Sequence, residues 1–345
     1  MGIFNWGEIR PTLTDSNSFA QAFSISPNGM YIVGNFGQNV AVLPPSILRV
    51  DFHAFRRNYD VDVHQELFQY FDYVTQFDGT VARSAIGVND DGDVVGLYRD
   101  ENRGTEIHGY IWRNGARVPR QPFDLAIPQQ IFPNADDPAE HSAAFGINNQ
   151  GLVVGVFQAR GVPVIFKDYG YVAQMDDPSA FVRVDVGEGL DQLPNVTGTL
   201  VRSINTHGDI VGTFTRVDPT TMSSETHGFK WKVDSDLNLV RDPTIIDVLD
   251  PQGMQAPTFV TGINDDGTIV GYYLTFPGGK RTERGFLWRS TGDNYLPADR
   301  IPFDLDIVAG TLPQGISNND IVVGYYRDMG RHAFVAPGLS GTRNS

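Results

Sequence analysis

Ile263-Asn264-Asp265-Asp266-Gly267-Thr268-Ile269-Val270-Gly271 recurs, in variants, six times along this 345-residue chain. The other copies begin at Ile25, Val88, Ile147, Ile204 and Ile316 and read ISPNGMYIVG, VNDDGDVVG, INNQGLVVG, INTHGDIVG and ISNNDIVVG. Successive starts lie 63, 59, 57, 59 and 53 residues apart. Repetition at a period of about 50 residues indicates a solenoid, a propeller or an array. Each copy encodes a hairpin. Asn or Ser opens the turn, its side chain accepting a local backbone N–H, and Gly stands three places later. That spacing suits a type I turn followed by a left-handed residue, which glycine tolerates best. In the sixth copy Asp320 takes the glycine place. β-branched pairs such as Ile269-Val270 and Val94-Val95 follow, which favours strand over helix.

A second motif follows most copies: His53-Ala54-Phe55, His108-Gly109-Tyr110, His227-Gly228-Phe229, Arg284-Gly285-Phe286 and His332-Ala333-Phe334. In the third copy Pro163-Val164-Ile165-Phe166 stands in its expected place. A further segment pairs an apolar residue with Asp, as in Phe71-Asp72, Phe123-Asp124, Val184-Asp185, Ile246-Asp247 and Phe303-Asp304. One unit is therefore strand A (ending Gly-Ile-Asn), strand B (Ile-Val-Gly), strand C (His-Gly-Phe) and strand D (Phe-Asp). Four antiparallel strands per repeat make a propeller blade. The expectation is an all-β, six-bladed β-propeller in one domain, with blades at 18–76, 81–127, 142–187, 199–249, 258–307 and 311–336. The sixth unit ends after strand C, while the segment 7–14 occupies a strand D place before the first strand A. Pairing of these two ends would close the ring and remove the open sheet edges.

These motifs resemble the His-Ala-Phe repeat family of bacterial, mostly secreted proteins of largely unassigned function. The resemblance runs from about Ser18 to Pro337. It implies a β-propeller outside the cytoplasm and transfers no catalytic residue. Met1–Arg10 has neither a charged n-region nor an apolar h-region, which leaves a cytoplasmic protein as the alternative.

The net charge of −15, with no basic cluster, argues against a nucleic-acid partner. The absence of cysteine excludes disulfides and thiolate metal sites. No apolar run approaches the length of a membrane span, and a monomer is expected.

Strand A is innermost in a propeller, so its side chains decide what the axis is like. The residue before the aligned Ile or Val is always small: Ser24, Gly87, Gly146, Ser203, Gly262 and Gly315. Large faces should therefore pack on small ones near the axis. One place earlier the pattern splits, with Phe23, Ile86 and Phe145 in the first three copies and Arg202, Thr261 and Gln314 in the last three. These six are the candidate ligand-binding residues. Arg202 either meets an internal acid, as buried charges generally do, or clamps a bound anion.

Asp136, Asp137, Glu140 and His141, in the loop entering the third blade, are the candidate metal ligands for a divalent cation such as calcium. The competing reading is a solvated acidic loop. The run Asn89–Asp93 mimics part of a calcium loop but coincides with the repeated turn. The repeated histidines should serve the blades, each ring N–H bonded to a neighbouring carbonyl. Basic residues on the B–C loops, among them Arg216, Arg281, Arg327 and Arg331, would suit an anionic ligand or balance acidic loops. The leading functional expectation is recognition of a small molecule or glycan, anionic by this charge pattern, in a funnel on the D–A/B–C loop face. The rivals are an enzyme using that pocket (a divalent-cation-dependent hydrolase or lyase, or a cyclase) and a protein–protein scaffold. Fold alone does not choose between them.

Overall fold

The computed structural model describes residues 7–9, 19–42, 47–59, 66–70, 81–99, 107–114, 121–122, 141–161, 165–189, 195–250, 253–289, 300–305, 310–328 and 330–336. Almost all of this is strand, and the fold is all-β and of propeller type. In the first repeat, strands A to D are Phe19–Ile25, Tyr31–Val42, Ile47–Tyr59 and Glu66–Tyr70. The fourth repeats the plan with Val196–Ile204, Asp209–Val217, Ser224–Val233 and Leu239–Ile246, paired antiparallel in sequence order. Strand A of the other repeats is Val81–Val88, His141–Ile147, Thr258–Ile263 and Gly310–Ile316.

The turns form as their composition dictates. Gly267 N–H donates to Asn264 O across the turn, and Thr268 N–H donates to Asn264 Oδ1. Gly29, Gly92, Gly151, Gly208, Gly267 and Asp320 all have φ between 59° and 80°, the left-handed region their position requires.

Six apolar clusters hold the repeats to one another. Val33 and Ala54 of the first repeat pack on Ala85 and Val88 of the second. The same arrangement joins each repeat to the next. The last cluster brings Ile321, Val323 and Val335 of the sixth repeat onto Ala22, Ile25 and Phe36 of the first. Gly7–Ile9 pairs antiparallel with Ala333–Val335 of the sixth repeat's strand C, in the strand D place.

The hydrogen-bonded sheets cut across the repeats. Repeats two to four share one sheet and repeats five and six another, while the first repeat stands as its own four-stranded sheet. Single parallel bridges such as Asp168↔Gly198 and Glu283↔Gly310 make the joins. The six four-stranded blades expected from the sequence therefore do not appear as six separate sheets.

Register corrects the third repeat. Its Gly155 faces Tyr171, as Gly96 faces Tyr110 and Gly212 faces Phe229. Tyr169-Gly170-Tyr171, rather than the segment 163–166, is thus its version of the His-Gly-Phe motif, inside the strand Ile165–Gln174. Arg56, next to the first repeat's His-Ala-Phe motif, is buried. Its guanidinium lies 5.0 Å from the Tyr31 ring centroid and 4.7 Å from that of Trp112, and Nη1 donates to Gly92 O.

Of the repeated histidines, His227 and His332 bond carboxylates of their own repeats rather than the expected carbonyl. His227 stacks on Phe214 at 4.9 Å, and its Nδ1 meets the Asp247 carboxylate at 2.9 Å rather than a backbone carbonyl. His108 stacks on Tyr98, and His332 on Tyr326.

Candidate functional site

A cavity of about 370 Å³ lies on the axis, lined by residues from all six A strands. Its walls contain all six candidate residues: Phe23, Ile86, Phe145, Arg202, Thr261 and Gln314. A single backbone feature puts them there. Every strand A carries a β-bulge that leaves this residue unpaired. The register skips from Ala22 to Ser24, Ala85 to Gly87, Ala144 to Gly146, Val201 to Ser203, Val260 to Gly262 and Pro313 to Gly315. A bulge re-aims a side chain that regular pleating would direct into the neighbouring repeat.

The bulge also explains the glycine that ends each copy of Ile-Val-Gly. A Cβ on Gly212 would stand 1.9 Å from Leu200 O, and one on Gly155 1.9 Å from Ala143 O. The same carbonyl, four places before the aligned residue, confronts Gly34, Gly96, Gly271 and Gly324. A strand C aromatic covers each of these glycines but one, Gly212, where none is among the nearest atoms. In the second and third repeats that aromatic is tyrosine, and Tyr110 and Tyr171 donate to the displaced carbonyls of Ser84 and Ala143 at 3.1 Å. Burial pushes the Tyr171 hydroxyl far above its ordinary pKa, which keeps it a donor.

The small residues before the aligned position admit the backbone of the next repeat at its own small residue, rather than a large face as expected. A Cβ on Gly262 would meet Gln314 O at 3.0 Å, and one on Gly315 would meet Ser24 Cα at 3.0 Å.

At the other end of the cavity the turns are tied side to side. Asn28 N–H donates to Asp90 Oδ1, Asp90 N–H to Asn149 Oδ1, and Asn148 Nδ2 to Asn205 O. Asn205 Nδ2 donates to Asn264 O, Asn264 Nδ2 to Ser317 O, and Asn318 N–H to Pro27 O. One bond or more thus leads from each turn to the next and from the last to the first. Asp265 accepts from Thr206 N–H at 2.8 Å and from Asn318 Nδ2 at 2.7 Å. Burial raises the Asp265 pKa, but the bonds from Thr206 and Asn318 outweigh it and hold the carboxyl below the usual range.

Arg202 is different. Its guanidinium lies over the Phe145 ring at 4.5 Å, and no carboxylate or other hydrogen-bond partner meets it among the described residues. Burial lowers its pKa from the ordinary arginine value, with Tyr272 and Tyr325 acting in the opposite direction. Gln314 likewise has no side-chain partner among the described residues. Thr261 is engaged, its hydroxyl donating to Pro313 O at 2.8 Å.

The described lining contains no residue of a D–A or B–C loop. It runs instead to the A–B turns, where Pro27, Asp265 and the exposed Asn318 stand. The B–C loop cations that are described are mostly balanced locally: Arg216 pairs with Glu225, and Arg281 and Arg327 pair with Glu283.

Of the candidate metal ligands, Asp136, Asp137 and Glu140 lie outside the described residues, and only the backbone of His141 is described, opening its strand. Among the described residues, no group of three His, Asp or Glu side chains is arranged to hold a metal ion. The Asn89–Asp93 run is engaged in its turn, with Asp93 Oδ1 accepting from Asn114 N–H and Asp90 accepting from Asn28 and Asn149. No described helix is long and apolar enough to cross a membrane.

No family profile and no curated protein matches the chain. Solved structures do. The sialidase of Trypanosoma rangeli, in complex with sialic acid, superposes with a TM-score of 0.50 at 9% identity over 94% of this chain. The Hadza microbial sialidase Hz136 gives 0.46 at 11% identity over 93%, and AofleA from Arthrobotrys oligospora 0.43 at 13% over 91%, covering 84% of AofleA itself. The chain spans 54% and 66% of the length of the T. rangeli and Hadza sialidases respectively. At such identity the first likeness speaks for a shared β-propeller fold and for nothing finer.

Proposed function

We propose that the chain is a six-bladed propeller, closed through Gly7–Ile9, and that it recognises a small organic molecule in the axial cavity. Six inter-repeat clusters and the unbroken circuit of turn-to-turn bonds support the blade count. Deleting residues 1–15 tests the closure. Thermal unfolding within a degree or two of the full chain would mean that the sixth blade is completed in another way.

One observation carries the binding reading: a half-buried guanidinium, oriented by Phe145 and without a protein partner among the described residues, faces a cavity of about 370 Å³. That volume falls within the range of small-molecule sites, and the mostly apolar wall with few placed polar groups is their usual composition. Binding is better supported than hydrolysis. Asp265 is the cavity's only described carboxylate, and it is engaged by the turns. Screening the protein against a small-molecule library by thermal shift, beside Arg202→Met, decides the matter. Hits lost in a variant that keeps its melting temperature support the clamp. A variant destabilised by about 3–5 kcal/mol, with no hit for the wild type, would return Arg202 to an internal pair.

A second reading, the scaffold, has one feature in its favour. Met222, Leu249, Met254 and Phe276 are exposed on D–A and B–C loops of the fourth and fifth repeats, one face of the molecule. Replacing all four by Ser and comparing captured partners tests it. The repeat resemblance carries an extracytoplasmic setting into the proposal, testable by fractionation of the host cells.

A further inference from the structure

The polar groups around the cavity divide into engaged and free. Asn205 and Asn264 accept at Oδ1 from N–H groups of their own turns and donate from Nδ2 to the next one. Asp265 and Asn318 hold each other, and Thr261 holds Pro313 O. Arg202, Gln314 and the hydroxyls of Ser24 and Ser203 are what remain without a partner among the described residues. Ser84 accepts from Asn35 Nδ2, and the other side chains of the wall are hydrocarbon. Phe23, Ile86 and Phe145 form a continuous arc on the first three repeats, and the aligned Ile or Val of every strand A completes the lining.

Resting on the axial-site reading above, we infer that the cavity selects a compact monocarboxylate with a ring-shaped or branched hydrocarbon body, and discriminates against sugars. The carboxylate takes the edge of the Arg202 guanidinium and the Gln314 amide. Stacking on Phe145 fixes the plane of the guanidinium, so its fork is presented before the ligand arrives. The arginine occupies the face of Phe145, which leaves Phe23 and Ile86 as the surface for the ligand's body. The charge balance points the same way. Arg202 is half-buried with no protein anion among the described residues, and a ligand carboxylate supplies one. A sugar acid would satisfy Arg202 equally well but would carry its ring hydroxyls onto the apolar arc. Each hydroxyl stripped of water without a partner weakens binding by about ten-fold.

Calorimetric titration of the full chain tests this with cyclohexanecarboxylate, its neutral amide, glucuronate and N-acetylneuraminate. The expected order places the hydrocarbon acid at least about ten-fold ahead of the amide, with both sugar acids weaker still. Arg202→Met should bring acid and amide to similar affinity, and Phe23→Ser should weaken both. A sugar acid that binds most tightly and depends on Arg202 would overturn the ligand class while keeping the axial site. Binding that persists unchanged in Ile86→Trp, whose larger indole would intrude on the ligand's body, would place the ligand elsewhere and overturn the site itself. Wild-type protein that binds none of the four overturns the inference, and the library screen then judges the site alone.

Discussion

At the A–B turns six loops led by Asn or Ser repeat one chemistry, whereas three residues earlier on the same strands the six bulged residues share none. The turn asparagines are buried and engaged on both ends of their amides, as Asn264 is with Thr268, Ser317 and Asp320. The bulged residues run from Phe23 to Arg202 to Gln314, and Arg202 and Gln314 have no protein partner among the described residues. Both rings belong to the same six A–B hairpins. A group needed in every repeat holds the repeats together, and a group that differs between repeats is available to a ligand, which needs each contact once.

That contrast can be broken in several places, and the expected effects fall in a definite order. Gly212→Ala attacks the feature that makes the bulge possible, since its Cβ would stand 1.9 Å from Leu200 O, with backbone atoms of Leu200 and Val201 the nearest neighbours. The loss should be about 4 kcal/mol, or the folded state altogether. A denaturant midpoint near that of the wild type would show that the bulged carbonyl can move aside. Next comes Asn264→Leu, which strands Thr268 N–H and Ser317 O in the interior and should cost about 3 kcal/mol. If it proves neutral, the circuit of turns is ornamental and the apolar clusters alone hold the repeats. Tyr171→Phe removes the bond to Ala143 O while keeping the ring over Gly155, as Phe286 and Phe334 cover Gly271 and Gly324. About 1 kcal/mol is expected in chemical denaturation. Arg202→Met should change stability least, by less than about 1 kcal/mol, because methionine fills much of the stem's volume and no partner is stranded. A loss as large as that of Asn264→Leu would erase the distinction between the rings.

Part of this arrangement is legible in the sequence. The six-fold repeat, the left-handed glycine position and the small residues before the aligned isoleucine each follow from local chemistry, and register and φ agree with them. The candidate ring was visible because its side chains vary where neighbouring positions do not. The bulge beneath it left a trace that passes unnoticed: the residue three places before the aligned Ile or Val is Ala, Val or Pro in all six copies. In a regular strand an odd spacing puts two residues on opposite faces, so two uniformly buried positions three apart require an inserted residue between them. The third repeat's Tyr169-Gly170-Tyr171 escapes a reading by motif because Tyr169 stands where most copies have His, and pairing with Gly155 identifies it.

The sequence by itself determined the hairpin unit, its six-fold recurrence and the two classes of residue at the inner strand, because turn conformation and side-chain size act over a few neighbouring residues. Tertiary structure decided the rest. Whether Arg202 meets an acid depends on which groups distant repeats bring to the axis, and the fold brings Phe145. Whether a turn asparagine serves its own loop or the next depends on the spacing between blades, which no single repeat encodes. The cavity follows the A strands toward the A–B turns because the bulges turn six side chains inward at that level. That geometry exists only once the strands are paired.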